Sequence, residues 1–198
     1  MTHEAPPTAE PKPLTYAEAK AIEDASAERH IFWDGVLYGM AGASNAHNEL
    51  AANLMGELVV ALRGTTCRPL GSDTRLRPLD GERFFYPDVL VRCGPPVSHP
   101  EDELALTNPS AVFEVLSPST ERFDRGEKFA AYREMTSVQL IVFLRADAVN
   151  IERYERTEGG WLLTVLGAND VLRVLHATIP VADLYRDVSL TQPPPPTQ

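Results

Sequence analysis

The sequence predicts an α/β domain in which helices flank a mixed β-sheet, and three features carry that prediction. Leu50, Leu54, Leu58 and Leu62 recur at the spacing of a helix that lays one face on a sheet. Short runs rich in Val, Leu, Ile and Phe recur between turn residues, the pattern of buried strands. Ala111 to Leu116, a helical stretch from Asp124 to Met135, and Val138 to Leu144 follow one another. Such a strand–helix–strand crossover joins parallel neighbours, whereas the hairpins elsewhere join antiparallel ones. With 198 residues and 43% hydrophobic content the chain is long enough for one domain with a real core. It is expected over residues 14–190, between a Pro-, Ala- and Glu-rich tail at 1–13 and a proline-rich tail at 191–198, both expected to be disordered.

Thr15 stands three residues before Glu18, a capping box that opens a helix running to about Ala25. Asp34-Gly35 is the turn of a hairpin between Ile31–Trp33 and Val36–Met40, which explains Asp34 structurally. Ser44 or Asn45 caps the helix of Leu50. Thr66–Leu70, Thr74–Leu79 and Phe84–Arg92 read as a three-strand meander divided by Gly71-Ser72 and Asp80-Gly81. From Cys93 to Pro109 the chain is polar and contains proline, which suggests a surface loop able to close over a substrate or partner. After the helix that ends near Met135, strands are expected at Val138–Leu144, Val149–Arg156, Trp161–Leu166 and Val171–Leu175, with Glu158-Gly159-Gly160 as a hairpin loop and a helical turn at Ala182–Tyr185. No internal repeat is visible.

The formal charge of −10 and pI near 4.9 count against an extended basic surface of the kind that binds nucleic acid non-specifically. The acidic excess lies mainly in the flanks, however, and the stretch from Arg63 to Arg133 is nearly neutral. Arg75, Arg77, Arg92, Arg122 and Arg125 there are candidate phosphate contacts, although each taken separately reads as a solvated surface arginine. No apolar stretch approaches the roughly 20 residues that cross a membrane, and the N-terminus lacks a signal pattern. A cytoplasmic protein is the default expectation. Cys67 and Cys93 have no zinc spacing and read as buried free thiols, with a disulfide as the alternative.

Glu114 is the anomaly of the chain. A carboxylate within the short apolar run Ala111–Leu116 costs several kcal/mol unless a cation or strong donors meet it. Val112, Glu114 and Leu116 share one face of that strand. Asp88 follows Pro87 and opens the run Val89–Val91; if that run lies alongside, two carboxylates converge at one end of the sheet. Such a pair favours a hard divalent cation, Mg²⁺ or Mn²⁺. Lys128 shares a helix face with Ala131, Tyr132 and Met135, which points it at the sheet. His47 precedes Leu50 by three residues and lies near the inward face of its helix, where it could position a water or a phosphate. Plainer explanations exist for each: Pro-Asp as turn chemistry, Asp124 and Lys128 as an i,i+4 surface pair, and an inward histidine as a hydrogen-bonded core residue.

Asp34-Gly35, Ala43-Ser44 with His47, Gly71-Ser72-Asp73, Tyr86-Pro87-Asp88-Val89 and above all Phe113-Glu114-Val115-Leu116-Ser117-Pro118-Ser119-Thr120, followed by Asp124, Lys128 and Tyr132, resemble the Uma-two family. This bacterial family of endonuclease-like proteins, formerly a domain of unknown function, is placed in the PD-(D/E)XK restriction-endonuclease-like superfamily. The resemblance runs from about Leu14 to Val188. It implies a restriction-endonuclease-like fold and a metal-dependent phosphodiesterase site acting on DNA. Asp88, Glu114 and the backbone carbonyl of Val115 would hold the metal, and Lys128 would stabilise charge on the phosphate or orient the attacking water. The chain departs from the superfamily pattern at Leu116, where a lysine usually stands, and from many relatives at Ile31, where they carry Glu. A homodimer is expected, since two sites would serve two strands. The competing readings are a catalytically idle, nuclease-like binding module acting as a homodimer, and a hydrolase of another phosphate ester.

Overall fold

The computed structural model describes residues 12–40 and 42–190. Of the two expected tails, residues 1–11 and 191–198 lie outside the described residues. The chain begins with α1 (Tyr16–Ala25), whose N-cap Thr15 and Glu18 exchange both hydrogen bonds of a capping box. β1 (His30–Trp33) and β2 (Val36–Gly39) form the expected hairpin, with Asp34 and Gly35 both at positive φ. Gly35 is required twice over, because a Cβ there would stand 2.6 Å from the Cβ of Pro13.

α2 (Asn45–Ala61), capped by the Ser44 hydroxyl, buries Leu50, Leu54 and Leu58. β3 (Cys67–Gly71), β4 (Arg83–Phe84), β5 (Val89–Cys93), β6 (Ser98–His99), β7 (Asp102–Leu106) and β8 (Ala111–Leu116) follow. The next helix is continuous but mixed: α3 (Glu121–Phe123), a π turn over Asp124–Lys128, then α4 (Phe129–Glu134). β9 (Leu140–Arg145), β10 (Ile151–Thr157), β11 (Gly160–Leu166), β12 (Val171–Val174), β13 (Ala177–Pro180) and the short α5 (Val181–Leu184) complete the chain.

The main sheet is ordered β11-β10-β9-β8-β5-β3. β8 and β9 are its parallel pair, joined by the crossover helix, and every other neighbour is antiparallel. The mixed sheet flanked by helices is therefore observed as predicted. One face carries Val89, Val91, Phe113, Val115, Val142 and Leu144 against α2 and the β12-β13 hairpin. The other carries Leu90, Val112, Leu116, Ile141 and Phe143 against Tyr132 and Met135 of the crossover, Trp33 of the small sheet β2-β1-β4 and Phe85 just past β4. Each fully buried Leu or Phe contributes about 1.5–3 kcal/mol relative to exposure.

Four expectations are corrected. Thr74–Leu79 is no strand: Leu76 alone bridges to Phe85 and Leu106, and Pro78 has no N–H to extend the ladder. Phe84–Arg92 is broken at Pro87, so β4 joins the small sheet while β5 pairs with β3, and the meander does not form. The segment 93–109 holds the β6–β7 hairpin, tied down by Ala105, Leu106 and a buried Asp102. Cys67 and Cys93, direct partners in the β3–β5 register, form a disulfide rather than free thiols. Among the described residues no helix is long and apolar enough to cross a membrane.

Candidate active site

The parallel pair β8–β9 and the antiparallel neighbour β5 bring the acidic residues together. Val89 stands opposite Phe113, so Asp88, one residue before, meets Glu114 at the end of the β5–β8 ladder. The two are clamped reciprocally: the Val115 N–H donates to Asp88 Oδ2 at 2.7 Å, and the Asp88 N–H approaches Glu114 Oε2 at 3.4 Å. Since a strand residue projects its N–H and C=O towards one edge, the Val115 carbonyl lies on the Asp88 edge as well.

Glu114 is buried, and its donors come from the crossover helix. Lys128 Nζ lies 3.0 Å from Glu114 Oε1, and the Tyr132 hydroxyl donates to the same oxygen. Lys128 and Tyr132 are an i,i+4 pair on one helix face. Lys128 also meets Asp124 Oδ1 at 3.0 Å and, at 3.4 Å, the carbonyl of Tyr86. The widened π turn contains both Asp124 and Lys128, and both are buried; such turns recur at functional sites. The i,i+4 surface-pair explanation of Asp124 and Lys128 is thereby excluded. His47, from the first turn of α2, reaches Asp88 Oδ2 with Nε2 at 3.3 Å.

The charge balance is unequal. Asp88, Glu114 and Asp124 face a single ammonium, with His47 as the other cationic candidate. Burial pushes the Glu114 carboxyl up to about 8, against the pull of Lys128 and with Asp124 and Asp88 adding to the rise. Burial opposes the Lys128 charge, yet the three carboxylates hold its pKa above the ordinary lysine value. Asp88 sits below the usual carboxylate range: burial would raise it, but the His47 hydrogen bond, the charges of His47 and Lys128, and the Val115 N–H outweigh that. His47 is raised in turn, its own burial being outweighed by Asp88 and Asp124.

These residues line one open cleft of about 960 Å³. Its walls include Ile31, Ser44, Asn48, the hydroxyls of Ser117, Ser119 and Thr120, and Arg145. Among the described residues no group of three or more His, Cys, Asp or Glu side chains forms a ready cage for a metal. The donors at hand are two carboxylates and a backbone carbonyl, a set that fits a hard cation which keeps several waters. Asp88 Oδ1 carries no hydrogen bond among the described residues, and the acid excess gives a divalent cation a charge to neutralise.

Asp88, Glu114, Val115, Lys128 and His47 are thus all brought together. The arginines proposed as phosphate contacts are not. Arg75 is buried on Asp102, Asp24 and Tyr86, Arg77 pairs with Glu101, and Arg125 is held by Glu152 and Glu121. None of these, nor Arg92 or Arg122, lines the cleft, whereas Arg145 does. Sequence reasoning assigns no site role to Tyr132, the donor to Glu114, to Asp124, the second partner of Lys128, or to Arg145; for Tyr132 and Asp124 the i,i+4 spacing from Lys128 is the available signal.

A family model, Uma2, described as "Putative restriction endonuclease", matches residues 16–184. The uncharacterised Synechocystis sp. protein sll1609 is 35% identical over 78% of this chain and 88% of its own, and slr1290 from the same organism is 31% identical over 84% and 88%. A crystal structure described as "a putative nuclease belonging to DUF820" from Anabaena variabilis superposes with a TM-score of 0.71 at 14% identity, over 87% of this chain and 98% of that one. At that identity the likeness speaks for the fold.

Proposed function

Since the chain belongs to the Uma2 restriction-endonuclease family, we propose that it is a metal-dependent endonuclease that hydrolyses phosphodiester bonds of DNA. The observation that carries the reading is the meeting of Asp88 and Glu114 across the β5–β8 ladder, with Lys128 at 3.0 Å from Glu114, on the wall of an open cleft.

In this reading Asp88, Glu114 and the Val115 carbonyl hold Mg²⁺ or Mn²⁺. Such an ion, when bound, polarises a phosphoryl oxygen and lowers the pKa of bound water. The chain's own side chains do the rest. Lys128 fixes Glu114 Oε1 and places a positive charge where negative charge grows on the phosphate. The Tyr132 hydroxyl locks the Glu114 rotamer, leaving Oε2 towards Asp88. His47 Nε2 steadies Asp88 Oδ2, the oxygen that also accepts from the Val115 N–H, and so fixes the carboxylate on the cleft wall.

Incubation with supercoiled plasmid and with single-stranded DNA, with Mg²⁺, Mn²⁺ or chelator, tests the proposal. Metal-dependent cleavage that disappears in Asp88→Ala supports it, and cleavage that survives Asp88→Ala removes this site from the reaction. One observation favours a second reading, a nuclease-like binding module without turnover: the apolar Ile31 stands on the cleft wall. Calorimetric binding of Mn²⁺ without cleavage of any DNA or simple phosphate ester selects it.

A further inference from the structure

β11 closes one edge of the main sheet, and its chemistry is unlike that of the opposite edge. β3, at the far end, reads Cys-Arg-Pro-Leu-Gly, and a charge and a proline blunt it against further pairing. β11 reads Gly-Trp-Leu-Leu-Thr-Val-Leu, seven residues with neither charge nor proline, in a chain of net charge −10. Leu162, Leu163 and Val165 are about half exposed, at 54%, 46% and 56%.

The hydrogen-bonding direction of the strand follows from its neighbour. Arg156 of β10 donates its N–H to Gln139, on the β9 side. By alternation Thr157, Glu155, Arg153 and Ile151 turn towards β11 and engage Gly160, Leu162, Thr164 and Leu166. Trp161, Leu163 and Val165 therefore aim their N–H and C=O groups outward, where no backbone partner meets them among the described residues.

We propose that this edge is the contact between two copies of the chain, which pair their β11 strands antiparallel about a two-fold axis at Leu163 to give one continuous sheet. In that register Leu163 meets Leu163 of the other copy, and Trp161 meets Val165 in both directions. Every outward group finds a partner, about six inter-strand hydrogen bonds in all, two for each facing pair. A second copy suits the edge better than another partner for two reasons. The strand is self-complementary about its centre: on the face of Trp161, Leu163 and Val165 apolar side chains stand opposite apolar ones, and on the other face Leu162 meets the uncharged Thr164. It is also an uncharged strip on an acidic protein, so that copies approaching along it avoid placing like charges directly opposite. The inference does not depend on the nuclease reading, and an inactive protein would pair in the same way.

Sedimentation and light scattering on the full chain at about 1–100 µM test it. The expected mass is twice 21.8 kDa. Leu163→Lys removes the apolar contact on the axis and sets two ammonium groups against each other there, and is expected to weaken the dimer by at least about a hundredfold. Val165→Lys should act similarly, should Leu163→Lys fail to fold by circular dichroism. Val60→Lys, on the exposed side of α2, should leave the mass unchanged. In hydrogen exchange the amides of Trp161, Leu163 and Val165 should be slow in wild type and at least about tenfold faster in the folded monomeric variant. A monomeric wild type overturns the proposal, as does a dimer that tolerates both lysine variants or leaves those three amides fast.

Discussion

Lys128 Nζ lies 3.0 Å from Glu114 Oε1, with both side chains almost closed to solvent. Removing one partner of such a pair leaves an uncompensated buried charge, which typically costs about 3–5 kcal/mol. Lys128→Met should lower stability by that order in urea denaturation. The double variant Lys128→Met with Glu114→Gln should lose less than the sum of the singles, because each single change already disrupts the same Lys128–Glu114 contact. A double variant as unstable as the sum of the singles would mean that the two side chains are not coupled in solution.

Divalent metal should stabilise the folded protein through the same acids. At a free Mn²⁺ concentration of 100 times Kd the gain is about 2.7 kcal/mol, seen as a higher Tm. Asp88→Asn should abolish most of that rise and lower the metal-free Tm only modestly: the amide oxygen still accepts from the Val115 N–H, but the charge that His47 and Lys128 stabilise is lost. A Tm that rises equally in wild type and variant places the ion elsewhere.

The sheet and its crossover were legible because Val112, Glu114 and Leu116 alternate with Phe113 and Val115 in burial partners, as a strand between two helical layers must. Glu114 was legible as a site candidate for the same reason, since a carboxylate among apolar strand residues has few structural explanations, whereas Asp88, at the head of the next run, gained its candidacy from the expected pairing with Glu114. The pairing partners of the middle of the chain were not. Thr74–Leu79 alternates like a strand, but Arg75 and Arg77 turn inward to Asp102 and Glu101, a destination set by a hairpin some 25 residues away in sequence. The π turn left no mark in the sequence either. It depends on where Asp124 and Lys128 must both reach, and i,i+4 spacing serves a surface pair equally well.

Asp102 ties the β6–β7 hairpin to the body of the protein. It accepts from the Tyr16 hydroxyl at 2.6 Å and from Arg75 at 2.9 Å. Burial alone would raise its pKa, but these two partners hold it below the usual carboxylate value. A depressed folded pKa gives stability that is full above the unfolded value near 3.8 and is lost as pH falls through the folded value. Asp102→Asn should therefore destabilise at pH 7 and show a shallower loss below about pH 4 than wild type. Acid unfolding curves of identical slope would remove Asp102 from the acid transition.

The Cys67–Cys93 bridge closes a 26-residue separation. Loop closure of that size restricts the unfolded chain by about 3–4 kcal/mol. Non-reduced protein should resist iodoacetamide even when unfolded in guanidinium. Reduction, or the pair Cys67→Ala and Cys93→Ala, should lower the denaturant midpoint by a corresponding amount. Two alkylated thiols in the non-reduced protein would refute the bridge.

Ile31 supplies the last prediction. It belongs to β1, opposite Tyr38, and forms part of the cleft wall that also carries Asp88 and Glu114. A carboxylate at this position adds an oxygen ligand and a negative charge beside a site where ligand charge count helps set divalent affinity. Without metal the added charge repels the existing acids and should lower the Tm. With metal the balance reverses, and Ile31→Glu should tighten Mn²⁺ binding by roughly tenfold, about 1.4 kcal/mol. The two effects must appear together, because the same proximity that strengthens the cation site weakens the empty one. If the wild type binds DNA without cutting and Ile31→Glu cuts, the missing carboxylate explains the lack of turnover; an unchanged Mn²⁺ affinity with an unchanged metal-free Tm would show that residue 31 lies too far from the acids to act on them.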